Sequence, residues 1–395
     1  MKLSDVVIVD GVRTAIGSFG GSLSGLSPAE LGTAAATEAI RRSAIPAADF
    51  DHAVFGHIIT TAPQDAYLSR HIALNAGLPE SSAAVNINRL CGSSVQSVIS
   101  AAQLLVMGDS KIALAGGAES MSRGAYLMPD ARKGARMGDS MIVDMTLGIL
   151  SDPFGSGHMG ITAENVAAQQ GYRREDLDRF AEESHRRACA AIENGYFREQ
   201  IVPVTVKHGR KAFVFDTDEH PRADTTMASL AQLRPAFKRD GIVTPGNASG
   251  LNDGAAAVVM TTMQEAQQRG LSPRCRILSY AFAGVAPELM GLGPVPAVKQ
   301  ALKNAGLSMQ DIDVIESNEA FAAQAMAVTD LLEMPVDKVN PNGGAVALGH
   351  PVGATGSILI VKMMAELDRT EGRYGLVTMC IGGGQGIALI IERLR

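Results

Sequence analysis

Apolar and polar positions along the chain predict helices and strands in alternation. Apolar runs at residues 6–9 and 376–379 are typical of buried strands. Apolar and small residues recur at helical spacing over residues 175–193. A helix of roughly fifteen residues is predicted directly after Cys91, followed by a strand that ends at Gly116-Gly117. The pattern therefore indicates an α/β fold.

The order of elements occurs twice. The segment "AIRRSAIPAADFDHAVFG" and the later "ALKNAGLSMQDIDVIESN" both read as a helix, a turn and an apolar strand. Such a repeat predicts two βαβ-type units with similar mixed sheets. Between the copies, residues 121–250 are richer in Met, Arg and irregular turns, which is typical of an insertion that carries ligand loops. The aligned positions are Ala39 with Ala301, Ile45 with Leu307, Asp49 with Asp311 and Asp51 with Asp313.

Composition narrows the class of protein. The 395 residues carry a net charge of −6, which argues against a nucleic-acid or anionic-membrane surface. No stretch approaches the ~18 unbroken apolar residues of a membrane span, and the N-terminus lacks the pattern of a signal peptide. The 4 cysteines include no CxxC pair, so we expect free thiols, no zinc ribbon and a cytoplasmic location.

Two cysteines stand in unusual surroundings. Cys91 precedes a glycine and two serines, and Cys380 ends a core strand before a glycine-rich loop. The repeat sets Cys91 opposite His350-Pro351 and sets Gly116-Gly117 opposite the loop after Cys380. If the copies pack about a pseudo-two-fold axis, Cys91, His350 and Cys380 share one pocket. A helix N-terminus would stabilise the thiolate of Cys91, and a histidine within reach would take its proton.

Other interpretations of these residues are less specific. A lone cysteine in a glycine-rich turn is often a small buried hydrophobe. His185 and Cys189 lie one helical turn apart, but no third metal ligand is evident, so helix packing is the better interpretation and no metal site is expected. Neither glycine-rich loop has the spacing and acidic partner of a dinucleotide site.

At these positions the chain resembles the thiolase family over nearly its whole length. The resemblance is carried by "VRTAIGSFGG", "NRLCGSSVQS", "GGAESMS", "HMGITAENVA", "TPGNASGLNDGAAA", "ESNEAFAAQ", "NPNGGAVALGHPVGATGS" and "VTMCIGGGQG". It implies a duplicated βαβαβαββ fold in five layers, αβαβα, with an inserted loop domain. The expected domains are an N-terminal half (residues 1–120 plus 252–273), a loop domain (121–251) and a C-terminal half (274–395).

The resemblance also implies catalytic roles. Cys91 is expected to be the nucleophile that becomes acylated. His350 is expected to activate Cys91 and then the thiol of coenzyme A, and Cys380 to exchange a proton with C2 of acetyl-CoA. Asn318 would hold a water that forms one oxyanion hole with His350. The backbone N–H groups of Cys91 and Gly382 would form the other.

Coenzyme A is implied as substrate and product, with no tightly bound cofactor. Residues 201–240 hold seven Lys/Arg against five Asp/Glu, a surplus that suits a phosphate-bearing ligand, although a solvated face explains these charges equally well. By resemblance, the binding residues are Arg222, Ser229, Ser249, His158, Met159, Leu233, Phe237, Met290 and Phe321.

The segments around His158 and Met290 are similar to those of short-chain, acetoacetyl-CoA members, and "GARMGDSMIVDMTLGILSDPF" to β-ketothiolases that also accept C5 chains. We therefore expect acetyl-CoA, CoA and short 3-ketoacyl-CoA as partners. The family commonly has glycine and leucine where this chain has Ser94 and Val95, so a narrower pocket or an altered helix start is expected there. It commonly has alanine in place of Ser317, so a perturbed water is expected at Asn318. A homotetramer, a dimer of dimers, is expected from "ARKGARMGDSM". Polyhydroxybutyrate precursor synthesis, isoprenoid supply and fatty acid degradation all remain open.

Two other functions are compatible with parts of the sequence. A decarboxylating ketoacyl synthase shares the fold but does not need a second cysteine, so Cys380 counts against it. A thiolase-like acyl-binding protein without activity should have lost Cys91, Asn318, His350 or Cys380, and all four are present.

Overall fold

A computed structural model describes residues 2–208 and 211–394. The strands in this part of the chain are β1 (Val6–Thr14), β2 (Gly17–Ser18), β3 (His52–Gly56), β4 (Ala83–Ile87), β5 (Ile112–Ser120), β6 (Tyr126–Leu127), β7 (Val143–Asp144), β8 (Ser151–Asp152), β9 (Gly157–His158), β10 (Ile201–Val202), β11 (Val204–His208), β12 (Lys211–Phe215), β13 (Asn252–Thr262), β14 (Cys275–Gly284), β15 (Val314–Ser317), β16 (Tyr374–Ile381) and β17 (Gln385–Arg393). The helices are α1 (Pro28–Ser43), α2 (Leu68–Asn75), α3 (Ser93–Met107), α4 (Met145–Ile149), α5 (Met159–Gln170), α6 (Arg174–Glu193), α7 (Met227–Ala231), α8 (Met263–Gln268), α9 (Pro294–Ala305), α10 (Ala322–Leu331), α11 (Ala345–Leu348) and α12 (Thr355–Thr370).

The duplication appears in the order of the strands. The first copy runs β4-β3-β5-β13-β1 and the second β15-β16-β17-β14, and a parallel bridge between Ile315 and Val339 takes the place of β4 in the second. In both copies the strands joined by a crossover connection pair in parallel, β3 with β5 and β15 with β16. The strand pairs that follow toward the centre of the sheet are antiparallel. The two expected sheets are joined into one, because β1 and β14 pair at Val7 with Arg276 and at Ile8 with Cys275.

The register fixes which residues of the two copies correspond. His52 pairs with Ala113 in the first copy, as Val314 pairs with Gly375 in the second. The side chains of Asp51 and Asp313, aligned in the sequence, accept equivalent N–H bonds of 2.7 Å from Lys111 and Arg373. The central helices start in step as well, α3 at Ser93 and α12 at Thr355.

This register corrects two correspondences expected from the sequence. Cys91 matches Gly353, not His350-Pro351, since both lie two residues before the first residue of the equivalent helix. Cys380 matches Ala118, not Gly116-Gly117, as counting along β5 and β16 from the paired positions shows. Both pairs keep the same separation along the chain as the aligned Asp51 and Asp313, so the expected correspondences were out of register by two or three residues.

The helices form the layers of the αβαβα arrangement. Helices α3 and α12 contact each other and the sheet strands of their own copies, whereas α1 with α2 and α9 cover the other sides. The two faces of β5 illustrate this: a Cβ at Gly117 would meet Ser94 of α3, and the next residue, Ala118, faces Gly32 of α1. The five-layered fold expected from the resemblance is confirmed.

The chain leaves the sheet after β5 and returns with β13, and residues 121–251 lie between. This region contains α4 to α7, and α6 confirms the helix predicted over residues 175–193. Helices α5 and α6 contact α10 of the second copy. The stretch Leu90–Met107 passes the length and hydropathy test for a membrane-crossing helix, but 56% of it is buried in the fold and it includes α3 of the central layer.

Candidate active site

A cavity of about 50 Å³ lies where the two copies and the inserted region meet. Its wall is mostly apolar and contains only a few polar groups that can take part in a reaction. Among the residues predicted for the site, those that line it are Cys91, His350, Cys380, Gly382, Met159, Ser249, Met290 and Phe321. The remaining wall comes from Ile58, Leu90, Ile149, Leu150, Ala320 and Val352.

Cys91 is held in a tight turn between β4 and α3. Leu90 has a positive φ of 45°, which is uncommon for a residue with a side chain and marks a constrained turn. The hydroxyl of Ser93 closes this turn by donating to the Leu90 carbonyl (2.6 Å) and accepting from the N–H of Arg89 (2.9 Å). At Gly92 a Cβ would lie 2.6 Å from Ile381, so only glycine lets the turn approach β16. The sequence thereby directs Cys91 into the cavity.

The Cys91 thiol does not have the lowered pKa expected of a cysteine at a helix start. Burial raises its pKa to about 11, and the backbone N–H groups of Gly382 and Cys91, which point at the sulfur, only partly oppose this effect. Helix α3 begins at Ser93, so Cys91 precedes the helix and lies in an apolar wall. The thiol is therefore protonated at neutral pH and needs a base to become a nucleophile.

His350 lines the same cavity and has the properties of such a base. It is buried, and this burial lowers its pKa to about 4, so the imidazole is neutral at physiological pH. Its Nδ1 lies 2.7 Å from the hydroxyl of Thr355, which itself donates to the Pro351 carbonyl at 2.9 Å. Because that hydroxyl proton is already used, Nδ1 is assigned as the N–H and Nε2 keeps a free lone pair. The backbone N–H of His350 is fixed by Asn252 Oδ1 (2.9 Å).

Cys380 and Gly382 reach the cavity from the end of β16. Burial raises the pKa of Cys380 far above its usual range, and the nearby Cys91 adds to the rise. Cys380 is thus a neutral thiol that is able to donate a proton. The Gly382 N–H points at the Cys91 sulfur, where an oxyanion formed on a Cys91 adduct would lie nearby.

Asn318 follows β15 and faces His350. Its Nδ2 lies 3.4 Å from His350 Nε2, and its buried Oδ1 has no hydrogen-bond partner among the residues that the structure describes. An unpaired buried oxygen of this kind is suited to binding a water or a substrate group. Before it, Ser317 is held at both backbone groups by the side chain of Asn340 (2.9 and 2.8 Å).

The residues that depart from the family pattern lie outside the cavity wall. The hydroxyl of Ser94 accepts the N–H of Ser357 (2.9 Å), so it joins α3 to α12. Val95 is buried and packs against Gly356 of α12. The expectation that Ser94 and Val95 narrow the pocket is therefore wrong. The Ser317 hydroxyl is buried without a hydrogen-bond partner in the described part of the chain, and nothing in the structure explains it.

The residues predicted to bind coenzyme A fall into two groups. His158 caps α5 by accepting the N–H of Gly160 (3.0 Å) and stacks on Phe237 at 4.6 Å; Phe237 in turn meets Phe321 edge-on. These rings pack beside the cavity. Arg222, Ser229 and Leu233 instead share a separate surface cleft of about 200 Å³. That cleft also contains His185 and His220, whose pKa values are lowered by burial and by neighbouring positive groups.

Sequence reasoning missed several residues around the site. Thr355 and Asn252 orient His350, and their positions in "GHPVGATG" and "GLNDGAAA" gave no chemical signal by themselves. A buried cluster of His57, Asp65 and Glu119 was also missed, although Glu119 belongs to the quoted "GGAESMS". In residues 2–208 and 211–394 no group of three His, Cys, Asp or Glu side chains is arranged to hold a metal.

Comparison with known proteins identifies the family of the chain. The family description "Thiolase, N-terminal domain" matches residues 6–264 and "Thiolase, C-terminal domain" residues 271–393. The chain is 58% identical over 392 residues to "Beta-ketothiolase BktB" of Cupriavidus necator, with 99% of each chain covered.

Solved structures give the same result. The Bacillus anthracis acetyl-CoA acetyltransferase is 44% identical, with a TM-score of 0.97 and 99% of each chain covered. Human mitochondrial 3-ketoacyl-CoA thiolase in complex with CoA is 39% identical, with a TM-score of 0.96, covering 99% of this chain and 98% of that one. On this agreement of sequence, fold and site, the chain belongs to the thiolase family of acyltransferases.

Proposed function

We propose that the protein catalyses the reversible thiolysis of short 3-ketoacyl-CoA, and in reverse the condensation of two acetyl-CoA to acetoacetyl-CoA and CoA. The observation that carries the proposal is the meeting of two protonated cysteines, Cys91 and Cys380, with a neutral histidine in one cavity. One cysteine suffices for acyl transfer alone. A second is needed when a carbon leaving group must receive a proton.

The first half-reaction cleaves the carbon–carbon bond. His350 Nε2 takes the Cys91 proton, and the thiolate attacks the 3-keto carbon. The N–H groups of Cys91 and Gly382, directed at the sulfur, stabilise the oxyanion. As the C2–C3 bond breaks, Cys380 protonates C2 and acetyl-CoA leaves. Asn318 and His350 lie together and stabilise the enolate oxygen of that leaving group.

The second half-reaction transfers the acyl group. The proton that His350 took from Cys91 passes to the Cys380 thiolate, so both return to their starting states. His350 then takes the proton of the CoA thiol, which attacks the thioester on Cys91. When the tetrahedral intermediate collapses, Cys91 leaves as the thiolate and recovers a proton from His350. The low pKa of His350 keeps it neutral and ready to accept each proton.

The cavity supports a short acyl chain. A volume of about 50 Å³ has room for roughly four water-sized groups, and Ile58, Ile149 and Val352 close it. The higher identity to a protein named beta-ketothiolase (58%) than to one named acetyl-CoA acetyltransferase (44%) favours some breadth, so C4 to C6 chains are the second candidate range.

The remaining parts of the proposal concern binding and assembly. The nucleotide part of CoA occupies the cleft of Arg222, Ser229 and Leu233, where a guanidinium meets phosphate.

The protein is a homotetramer in the cytoplasm, working in polyhydroxybutyrate or fatty acid metabolism. Large apolar side chains concentrate on the surface of one segment, including Met137 (100% exposed) and Ile142 (63%), as expected of a subunit interface. Light scattering of the purified protein tests the tetramer.

The deciding experiment follows the CoA-dependent loss of the Mg²⁺-enolate absorbance of acetoacetyl-CoA, 3-ketovaleryl-CoA and 3-ketohexanoyl-CoA. We expect wild type to consume the C4 substrate and Cys91→Ser to lose at least ~10⁴-fold in kcat. Cys189→Ser, a thiol on α6 outside the cavity, is the matched control and keeps full activity. Comparable turnover of C5 and C6 selects the broader range. Absence of thiolysis by wild type overturns the proposal in favour of an acyl-binding protein.

A further inference from the structure

A buried cluster of charged groups lies behind the cavity wall, and the mechanism above does not use it. Its members are His57, Asp65 and Glu119, with exposed fractions of 8%, 3% and 0%. His57 Nδ1 lies 3.1 Å from Glu119 Oε1, and His57 Nε2 lies 3.7 Å from Asp65 Oδ2. Burying three ionisable groups costs free energy unless they pair with one another, so their arrangement requires a physical explanation.

The carboxylate of Glu119 binds the backbone of two separate loops. It accepts the N–H groups of Ile58 (3.2 Å) and Ile59 (3.2 Å) after β3, and that of Gly353 (3.0 Å) after His350. At Gly353 a Cβ would lie 2.4 Å from Glu119 Oε2, so the contact excludes any side chain there. One carboxylate therefore ties together a loop from each copy of the repeat.

Both loops contribute to the wall of the Cys91 cavity. Ile58 is itself a lining residue, and so is Val352, the neighbour of Gly353. The same two residues pack with Ile149 and Leu150, beside Cys91, in one apolar cluster. The distance between these loops therefore sets the width of the apolar end of the cavity, where an acyl group on Cys91 lies in the proposed reaction.

His57 is the counter-ion of Glu119. Burial alone would lower the pKa of His57, but Glu119 and Asp65 outweigh it and raise the pKa to about 10, so the imidazolium is charged at neutral pH. Asp65 is anchored on its own side by the N–H groups of Thr61 (2.6 Å) and Ala62 (3.0 Å). The cation thus lies between two fixed carboxylates, Asp65 and Glu119.

We propose that Glu119, with His57 as its counter-ion, is a positioning residue that sets the acyl-chain range of the enzyme by holding the Ile58 and Val352 loops at a fixed separation. The proposal rests on the function proposed above, because it concerns the acyl group of that reaction.

The charge of Glu119 also reaches Cys91, which gives an independent measurement. His350 and Cys380 are the titratable groups that share the cavity with the Cys91 thiol, and Glu119 lies behind its wall, where its negative charge favours the protonated thiol. Glu119→Gln removes this charge, whereas His57→Gln leaves it without its counter-ion. The two substitutions should therefore move the Cys91 pKa in opposite directions, down for Glu119→Gln and up for His57→Gln. A merely structural loosening would expose Cys91 and move both in the same direction.

The first experiment measures kcat/KM for acetoacetyl-CoA and 3-ketohexanoyl-CoA in wild type, Glu119→Gln and His57→Gln. We expect the C6-to-C4 ratio to rise severalfold in both variants, since the wall is released. Asp51→Asn, which removes a carboxylate that binds backbone N–H at the far end of β5, is the matched control and leaves the ratio unchanged. An unchanged ratio in both variants overturns the proposal.

The second experiment follows alkylation of Cys91 by iodoacetamide against pH, read from the mass of the Cys91 peptide. We expect the midpoint to fall in Glu119→Gln and to rise in His57→Gln. Equal shifts, or none, overturn the proposal. If Glu119→Gln does not fold, the test is made with His57→Gln only. In that case a midpoint of alkylation that does not rise contradicts the proposal.

The two proposals fail in different ways. If wild type lacks thiolysis, the proposed function fails, and the alkylation midpoints still report on Glu119 and Cys91. If wild type is active but the variants keep its chain-length ratio, only the positioning role fails.

Discussion

The two copies of the repeat share one backbone scaffold but differ at the positions nearest their common axis. The register matches Cys91 with Gly353, Cys380 with Ala118 and Asn318 with Gly56. At these three positions one copy places a reactive side chain and the other has glycine or alanine, whereas His350 corresponds to Asn88. The duplicated fold therefore does not build two half-sites. It builds one site from residues of both copies.

The glycines explain why the site is asymmetric. A Cβ at Gly56 would lie 2.7 Å from the backbone of Ser93, and one at Gly353 would lie 2.4 Å from Glu119. Two helix starts and two strand ends meet here, and there is no room for a side chain at Gly56 or Gly353. Duplication supplies the scaffold, and these glycines allow the two copies to pack closely around the site.

The largest expected effect distinguishes the role of Cys380 from that of Cys91. The Cys380→Ser substitution keeps the shape of the side chain, but a hydroxyl is a poorer proton donor than a thiol. The kcat for thiolysis should therefore fall by ~10²–10⁴-fold. Cys91 should still be acylated by acetyl-CoA, because that step needs only Cys91 and His350. Mass spectrometry of the intact protein after acetyl-CoA treatment checks this, with Cys189→Ser as the control. If Cys380→Ser prevents acylation, the two cysteines do not have separate roles.

The fold could be predicted from the sequence more fully than the site geometry. The duplication could be detected because Asp51 and Asp313 align in the sequence. In the structure each carboxylate accepts a backbone N–H at an equivalent position beside a strand, and this local contact leaves a recognisable sequence pattern. The resemblance brought Cys91, His350 and Cys380 to one cavity. The raised pKa of Cys91 was not predictable, since burial by Ile149, Phe321 and other distant segments has no local signature. The same holds for Glu119, whose partners lie in other loops.

A smaller effect concerns the orientation of His350. Thr355→Val removes the acceptor of Nδ1–H, so the imidazole no longer keeps Nε2 free, and kcat should fall by about 10²-fold. Thr329→Val is the matched control, because Thr329 also donates its hydroxyl to the carbonyl four residues earlier but lies on α10, outside the cavity wall. Full activity of Thr355→Val would show that the tautomer is set in another way.

The pH dependence of wild type tests the same group. The folded pKa of His350, about 4, is below the ordinary value of 6.5, so the neutral base persists as pH falls and is lost only near pH 4. The kcat/KM of wild type should therefore lack a histidine-like acid limb between pH 7 and 6. A limb centred near 6.5 would contradict a buried neutral His350.

The smallest effect concerns the contact that joins the copies at their centre. Ser94 of α3 matches Gly356 of α12, and only Ser94 has a side chain, which accepts the N–H of Ser357 near the start of α12. Ser94→Ala leaves that buried N–H unpaired and should lower the free energy of unfolding by about 1–2 kcal/mol, as loss of a helix cap does. Since Ser94 points to α12 and not into the cavity, the C6-to-C4 ratio should stay at the wild-type value. Urea denaturation and the thiolysis assay measure the two quantities, and Ser100→Ala on the same helix should change stability by less than about 0.5 kcal/mol. A changed ratio in Ser94→Ala would mean that the contact between the two central helices, and not the cavity wall alone, controls which acyl chains the enzyme accepts.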